Sequence, residues 1–179
     1  MNIGFDLDGI FIGIPPFIPS VIIDMLYRKQ NADKLIYRYP PKIEQYIRKM
    51  SHRSIFRPAF EENIAFLKKL AKNNTHKRYL ISGRFGFLKK ETDVILKKYG
   101  ISKHFDKQLL NYNNHQPHVF KNKVVKKYNI HMHVDDDLPL LVFLAKENEK
   151  VIFYWLNKKR GGEISNNLFA VTQLSDILR

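Results

Sequence analysis

From residue 58 onward, short apolar runs alternate with stretches whose apolar residues recur at helical spacing, and this alternation most restricts the folds open to the chain. Ile64, Leu67, Leu70 and Ala71 predict a helix over 61–72, followed by a strand over 78–81 that ends in Ser82-Gly83-Arg84. A helix over 88–99 stops at Gly100, which suits a C-terminal cap. Next come a strand over 105–110, a helix over 119–128 and a strand over 130–134 running into Asp135-Asp136-Asp137. A helix over 138–147, a strand over 151–155 and a closing helix over 172–178 complete the series. Upstream, Ile3-Gly4-Phe5 is a short apolar run ending at Asp6 and Asp8, as a buried strand does at its carboxyl end. Helical spacing marks 20–29, with Val21 and Met25 on one face, and 42–50, with an extended Tyr-Arg-Tyr-Pro-Pro connection over 37–41 between them. The pattern is that of βαβ units: an α/β fold, a three-layer Rossmann-like parallel sheet with helices on both faces.

The 179 residues fit one domain carrying a small insertion. Without cysteine, the chain has no disulfide, thiolate catalyst or cysteine-type zinc site, which fits a cytoplasmic protein. The apolar stretch 9–23 follows Asp6 and Asp8 rather than a basic segment and is broken by Pro15, Pro16 and Pro19. It falls short of the ~20 residues a membrane span needs, so no signal peptide or transmembrane segment is expected. A formal net charge of +14 favours an anionic partner, whether phosphate ester, nucleic acid or acidic lipid surface. Lysine pairs such as Lys68-Lys69 and Lys97-Lys98 equally serve as solvated helix faces, and no arginine-rich block marks a nucleic-acid site.

In parallel sheets ligands bind at the carboxyl ends of the strands. Three predicted strands end there in polar groups: Asp6 and Asp8, Ser82, and Asp135 with Asp136. Asp6 and Asp8 are two apart, so an extended backbone turns both carboxylates to one side. Asp135-Asp136-Asp137 brings three carboxylates together, and their repulsion is offset by a cation; an all-oxygen set points to Mg²⁺. Asp137 also suits the first turn of the following helix. Ser82-Gly83-Arg84 offers a hydroxyl, a flexible amide and a guanidinium to an oxyanion.

On these residues the chain resembles the haloacid dehalogenase-like phosphatase superfamily. Ile3-Gly4-Phe5-Asp6-Leu7-Asp8-Gly9 matches its first motif, Tyr79-Leu80-Ile81-Ser82 its second and His133-Val134-Asp135-Asp136 its fourth. Its third motif is a lysine, assigned to Lys121 with Lys123 as second choice. One departure is Ile10, where Thr or Val is more usual. The resemblance implies an Mg²⁺-dependent phosphomonoesterase in which Asp6 attacks phosphorus to form an aspartyl-phosphate. Asp8 would protonate the leaving oxygen and then activate water. Ser82, Gly83 and Lys121 would bind the phosphoryl group. Mg²⁺ would be held by Asp6, the backbone carbonyl of Asp8, and Asp135 or Asp136. Asp rather than an apolar residue at position 8 favours phosphatase over dehalogenase chemistry.

The resemblance covers 1–12 and about 58–155, so residues 1–12 and 58–179 are expected to form the core and 13–57 a small helical cap. Ile12, Ile14, Phe17 and Ile18 make its approach apolar, while Arg38, Arg48, His52, Arg53 and Arg57 add charge. The apolar residues either pack the cap on the core or line a pocket for an apolar group on the phosphate. His131 and His133 alternate on a strand beside the acids and are expected to face the helix-covered sheet rather than bind metal. The expected substrate is a small organic phosphate, nucleotide-like in preference. Nucleic-acid ends, a lipid phosphate, or a non-catalytic binding module of the same fold are the alternatives.

Overall fold

The computed structural model describes residues 1–15, 35–159 and 161–178, so the expected helix over 20–29, with Phe17 and Ile18, lies outside the described residues. The strands are β1 (Asn2–Phe5), β2 (Lys77–Ser82), β3 (Lys107–Leu110), β4 (Met132–Asp135), β5 (Ile152–Leu156), β6 (Gly162–Ser165) and β7 (Leu168–Val171). The α-helices are α1 (Lys42–Ser51), α2 (Glu61–Asn73), α3 (Lys89–Lys98), α4 (Pro117–Lys127) and α5 (Leu138–Glu147). All seven strands join one sheet in the order β3-β2-β1-β4-β5-β7-β6. Every pairing is parallel except β6 with β7, which is antiparallel.

Alternation along the strands sorts side chains between two cores. Ile3, Phe5, Leu80, Met132 and Val134 face α2 and α3, burying Ile64, Leu67, Leu70, Ile95 and Leu96. On the opposite face Tyr79 and Ile81 pack with Val124 and Val125 of α4, and Phe153 with Leu140, Leu141 and Leu144 of α5. Helices therefore cover both faces of the sheet, and each fully buried aliphatic side chain contributes roughly 1.5–3 kcal/mol.

Two expectations change at the carboxyl end of the chain. Residues 172–178 do not form an α-helix; a 3-10 segment, Leu174–Leu178, packs Leu174 and Ile177 into the first core. The β6–β7 hairpin is absent from the sequence-based series. All four residues of β6 are exposed, so it carries no alternation of buried and exposed residues by which to recognise it.

Two features of the connectivity place the functional edge. The chain runs from β1 outward to β2 and β3, then crosses back to β4 on the other side of β1. The order of strands thus reverses between β1 and β4, the crevice where ligands bind in open α/β sheets. The segment after β1 turns tightly, with the amides of Phe11 and Ile12 both donating to the Leu7 carbonyl at 3.0 and 3.1 Å. It then meets the chain again: Ile12 bridges Ala59, the Gly13 amide donates to the Pro58 carbonyl at 2.7 Å, and the Phe60 amide to that of Phe11 at 2.9 Å. Residues 13 and 58 are thereby held side by side.

Candidate active site

Asp6 follows the last residue of β1, and its amide donates to the Val134 carbonyl at 3.0 Å, setting it level with the end of β4. Lys121, on α4, reaches the same edge from one layer above. Its Nζ donates to Asp6 Oδ1 at 2.5 Å and to Asp135 Oδ2 at 2.6 Å, with all three residues buried. Lys123 is exposed and takes no part in this site. Helical geometry explains the choice: Lys121 shares a face with Val124 and Val125, which pack on the sheet, while Lys123 lies on another.

Asp136 completes an acidic group: one carboxylate oxygen from each of Asp6, Asp135 and Asp136 lies within 4.8 Å of the others. Gly9 makes this approach feasible, since its φ is +70° and a Cβ there would overlap the Asp136 carboxylate. Trp155 Nε1 holds the Asp136 carbonyl at 3.0 Å, fixing the backbone from β5. The three acids of the triplet part company here. Asp137 turns away as the N-cap of α5, its Oδ1 accepting from the Leu140 amide at 3.1 Å and its Oδ2 from the Tyr37 hydroxyl at 2.6 Å.

The charges in the site are unequal in their comfort. Burial pushes the Asp6 carboxyl up to about 7, against the pull of Lys121, with the Asp135 and Asp8 charges adding to the rise. Burial would raise Asp135 too, but Lys121 and His133 hold it well below the usual carboxylate range. Lys121 stays charged despite its burial because two carboxylates face it. One ammonium between crowded acids leaves Asp6 short of positive charge. A divalent cation on this all-oxygen group would supply what is missing, and the donor set is one that fits Mg²⁺.

His133 is fully buried, with Nε2 3.2 Å from Asp135 Oδ2, which places it behind the acidic group as support for Asp135. His131, expected to face the covered sheet, is instead exposed, and its Nδ1 accepts from the Asn2 amide at 3.1 Å. It precedes β4 at the opposite end of that strand from the acids.

Ser82 closes β2 and is buried, its Oγ accepting from the Arg84 amide at 3.4 Å. Gly83 runs beside Lys121: a Cβ there would stand 3.6 Å from Lys121 Cε and 3.1 Å from Pro117 Cβ. The backbone of the Ser82-Gly83-Arg84 turn and the Lys121 side chain therefore border one space.

Asp8 stands apart from the three clustered carboxylates, leaving its backbone carbonyl as the donor that the resemblance assigns to Mg²⁺. Its carboxylate is enclosed by guanidinium groups. Arg84 donates through Nε to Oδ2 and through Nη2 to Oδ1, each at 2.7 Å, while Arg57 donates to Oδ1. Burial opposes ionisation, but the two arginines hold the Asp8 carboxyl far below its ordinary range. Arg84 is anchored by its Nη1 on Thr92 Oγ1 at 3.0 Å, and Thr92 by its hydroxyl on the Leu88 carbonyl at 2.9 Å. Arg57 and Arg84 both stood among the charged residues noted in the sequence, but their convergence on Asp8 did not: the partners are 49 and 76 residues apart. Only the Arg two places after the strand-ending serine hints at it.

No protein-family model and no curated protein matches this chain. Solved structures do. A haloacid dehalogenase-like hydrolase from Streptococcus pneumoniae matches with a TM-score of 0.62 at 12% identity, over 99% of this chain and 96% of that one. A haloacid dehalogenase family enzyme from Bacteroides thetaiotaomicron, in complex with magnesium and inorganic phosphate, matches at 0.58 and 16% identity, over 99% and 98%. A chain of the Pnkp1/Rnl/Hen1 complex matches at 0.52 and 18%, over 87% of this chain but 45% of that one. With strand order, crossover and acidic edge already in place, these likenesses establish that the chain has the haloacid dehalogenase-like fold.

Proposed function

We propose that this chain is an Mg²⁺-dependent phosphomonoesterase in which Asp6 is the nucleophile. The observation that carries the reading is Lys121 bridging Asp6 and Asp135 beside Asp136 at the crossover of the sheet. A carboxylate meets a phosphate dianion only where positive charge offsets their repulsion. Lys121 supplies one such charge. Asp6, Asp135, Asp136 and the Asp8 carbonyl would hold Mg²⁺, which supplies charge neutralisation at the transferring phosphoryl group. The likeness to an enzyme bound to magnesium and phosphate supports the same assignment.

In the first step an Asp6 oxygen forms a bond to phosphorus as the bond to the leaving oxygen breaks, and Asp8 passes that oxygen a proton. In the second, water adds to phosphorus, Asp8 takes its proton, and the bond between phosphorus and Asp6 breaks. The Ser82 hydroxyl and the Gly83 backbone border the phosphoryl oxygens. Asp8 as held by Arg84 and Arg57 stays ionised, so a guanidinium has to shift for it to carry the proton in either step. Residues 13–57 would form the small cap that selects the substrate, a small organic phosphate.

The test is release of phosphate from an aryl phosphate. Activity is expected with Mg²⁺, lost in EDTA and lost in Asp6→Asn; full activity of that variant would falsify the assignment. A second reading, action on nucleic-acid ends, is favoured by the +14 charge and by the likeness to a chain of an RNA repair complex. It predicts that oligonucleotide 3′- or 5′-phosphates outcompete mononucleotides and that this advantage falls steeply with salt.

A further inference from the structure

Helix α1 is amphipathic, but it is turned the opposite way to a helix that packs on a core by its apolar face. Ile43, Tyr46 and Ile47 share one stripe and are 80%, 67% and 60% exposed. The opposite stripe, Glu44, Arg48 and His52, spaced four apart, faces inward, with Arg48 and His52 buried. Polar contacts pin that orientation. Glu44 accepts from Arg48 at 2.6 Å and from Arg38 at 2.8 Å, and His52 Nδ1 stands 2.8 Å from the Arg48 carbonyl. His52 also feels the charges of Arg84, Arg57 and Asp8, so the inward stripe looks toward Asp8. Rolling α1 to hide its isoleucines would break these contacts. An apolar stripe fixed in the open on a helix marks a surface that meets something else.

Charge selects what it meets. Residues 35–60 hold six lysines and arginines and one acid, Glu44, which is turned inward between two arginines. Tyr46 stands four places after Lys42 and three before Lys49, so both lysines flank the apolar stripe. Beyond the helix, Arg53 is exposed, and Lys98 reaches the same turn, its Nζ donating to the Ser54 carbonyl at 2.9 Å. A second copy meeting the first through α1 would bring lysines against lysines with no acid to receive them. Nucleic acid offers phosphates to the lysines but nothing apolar enough for two isoleucines. A bilayer with anionic headgroups offers both: acyl chains for the stripe, and phosphates for lysines whose apolar stems lie along it.

We propose that α1 docks this protein on membranes containing anionic phospholipid. The helix, about 15 Å long, lies in the plane of the interface. Ile43, Tyr46 and Ile47 enter the boundary between headgroups and acyl chains, and Lys42 and Lys49 meet the headgroup phosphates. Asp8 stays on the far side of the helix from the lipid. Docking does not depend on the phosphatase reading, and its test needs no turnover.

Flotation of the whole chain with lipid vesicles tests it. Phosphatidylcholine vesicles are compared with vesicles in which about a third of the lipid is phosphatidylglycerol. The parent protein should float with the anionic vesicles and stay behind with the neutral ones. Ile43→Ser/Ile47→Ser should lower the partition coefficient at least about tenfold. Because both side chains are exposed, its melting temperature should stay within about 2 °C of the parent. Lys42→Gln/Lys49→Gln should weaken partitioning by about fivefold for each lysine removed. Lys68→Gln/Lys69→Gln, which removes the same charge from exposed positions on α2, should weaken it far less. No flotation of the parent, flotation that survives the serine substitutions, or equal losses from the two lysine pairs overturns the proposal. So does a dimer, seen by light scattering, that the serine variant dissolves while the parent ignores vesicles; that result gives the face to a second copy. A serine variant that melts several degrees lower, with no flotation of the parent, means that the chain covers the face itself, and it overturns the proposal too.

Discussion

Replacing Lys121 with methionine keeps the length of the side chain and removes its charge, leaving Asp6 and Asp135 buried without their shared ammonium. Breaking a buried ion pair on one side costs about 3–5 kcal/mol. A second route gives a similar figure: two carboxylate oxygens within 4.8 Å of each other repel by about 3.5 kcal/mol or more at an effective dielectric of ~20. For a domain of this size each kcal/mol is worth about 2–4 °C, so Lys121→Met in EDTA at pH 8 should melt about 6–20 °C below the parent protein. Mg²⁺ restores positive charge to the same carboxylates. At a hundred times its dissociation constant, a bound ion returns about 2.7 kcal/mol and should close much of that gap. Turnover should nonetheless stay down by about 10²–10³, because the ion does not replace the donor that the proposed mechanism assigns to Lys121 at the phosphoryl group. Thermal unfolding followed by circular dichroism, with EDTA and with Mg²⁺, reads the first two effects, and phosphate release the third. A melting temperature lowered equally in both conditions would refute the idea that lysine and cation share one electrostatic duty.

Three more outcomes follow from other parts of the site. Gly9→Ala places a methyl group where the Asp136 carboxylate lies and strains a backbone at φ +70°; calorimetry should show Mg²⁺ binding weakened at least about tenfold, and parental affinity would contradict this packing, with about 1–2 kcal/mol of stability lost to the left-handed backbone. His52 is buried among arginines, and burial followed by the charges of Arg84 and Arg57 brings it down to about 3. The unfolded chain binds this proton near pH 6.5 and the folded one does not, so stability is full above pH 6.5 and declines between 6.5 and 3. The decline amounts to about 2–3 kcal/mol at pH 4.5, and urea titrations should show that His52→Gln flattens it; an unchanged slope would count against a neutral buried His52. Asp137→Ala removes the cap of α5, so melting should fall by the equivalent of about 1 kcal/mol while Mg²⁺ affinity stays at the parental value; a loss of metal binding would return Asp137 to the acidic site.

The sequence disclosed those parts whose signal is local. Helix α5 is predicted and observed over the same residues, because Asp137, Leu138-Pro139 and the apolar run leave one place for it to begin. The buried strands β1, β2 and β4 stand out as apolar runs with polar ends, which is why Asp6, Ser82 and Asp135 were legible as one edge. Lys121 was separable from Lys123 by its spacing from Val124 and Val125, a signal present in the sequence but diluted by so many lysines. The enclosure of Asp8 was not legible, since ion pairs across 49 and 76 residues leave no periodicity. Helix α1 also misleads a reader of patterns: its apolar stripe faces outward, and the Glu44–Arg48–His52 stripe is the one turned in.

The bridge between Ile12 and Ala59 has a consequence for how such a chain changes over time. Because the segment after β1 and the segment before α2 are already fastened to each other, the ends of the stretch between residues 13 and 58 stay together whatever its length. Loop-closure entropy grows only logarithmically, by about 0.6 kcal/mol per doubling of length. The junction therefore works as a socket. Segments of different size can be exchanged there at little expense in stability while Asp6 and its neighbours keep their positions, and under the proposed function such exchange would alter substrate choice.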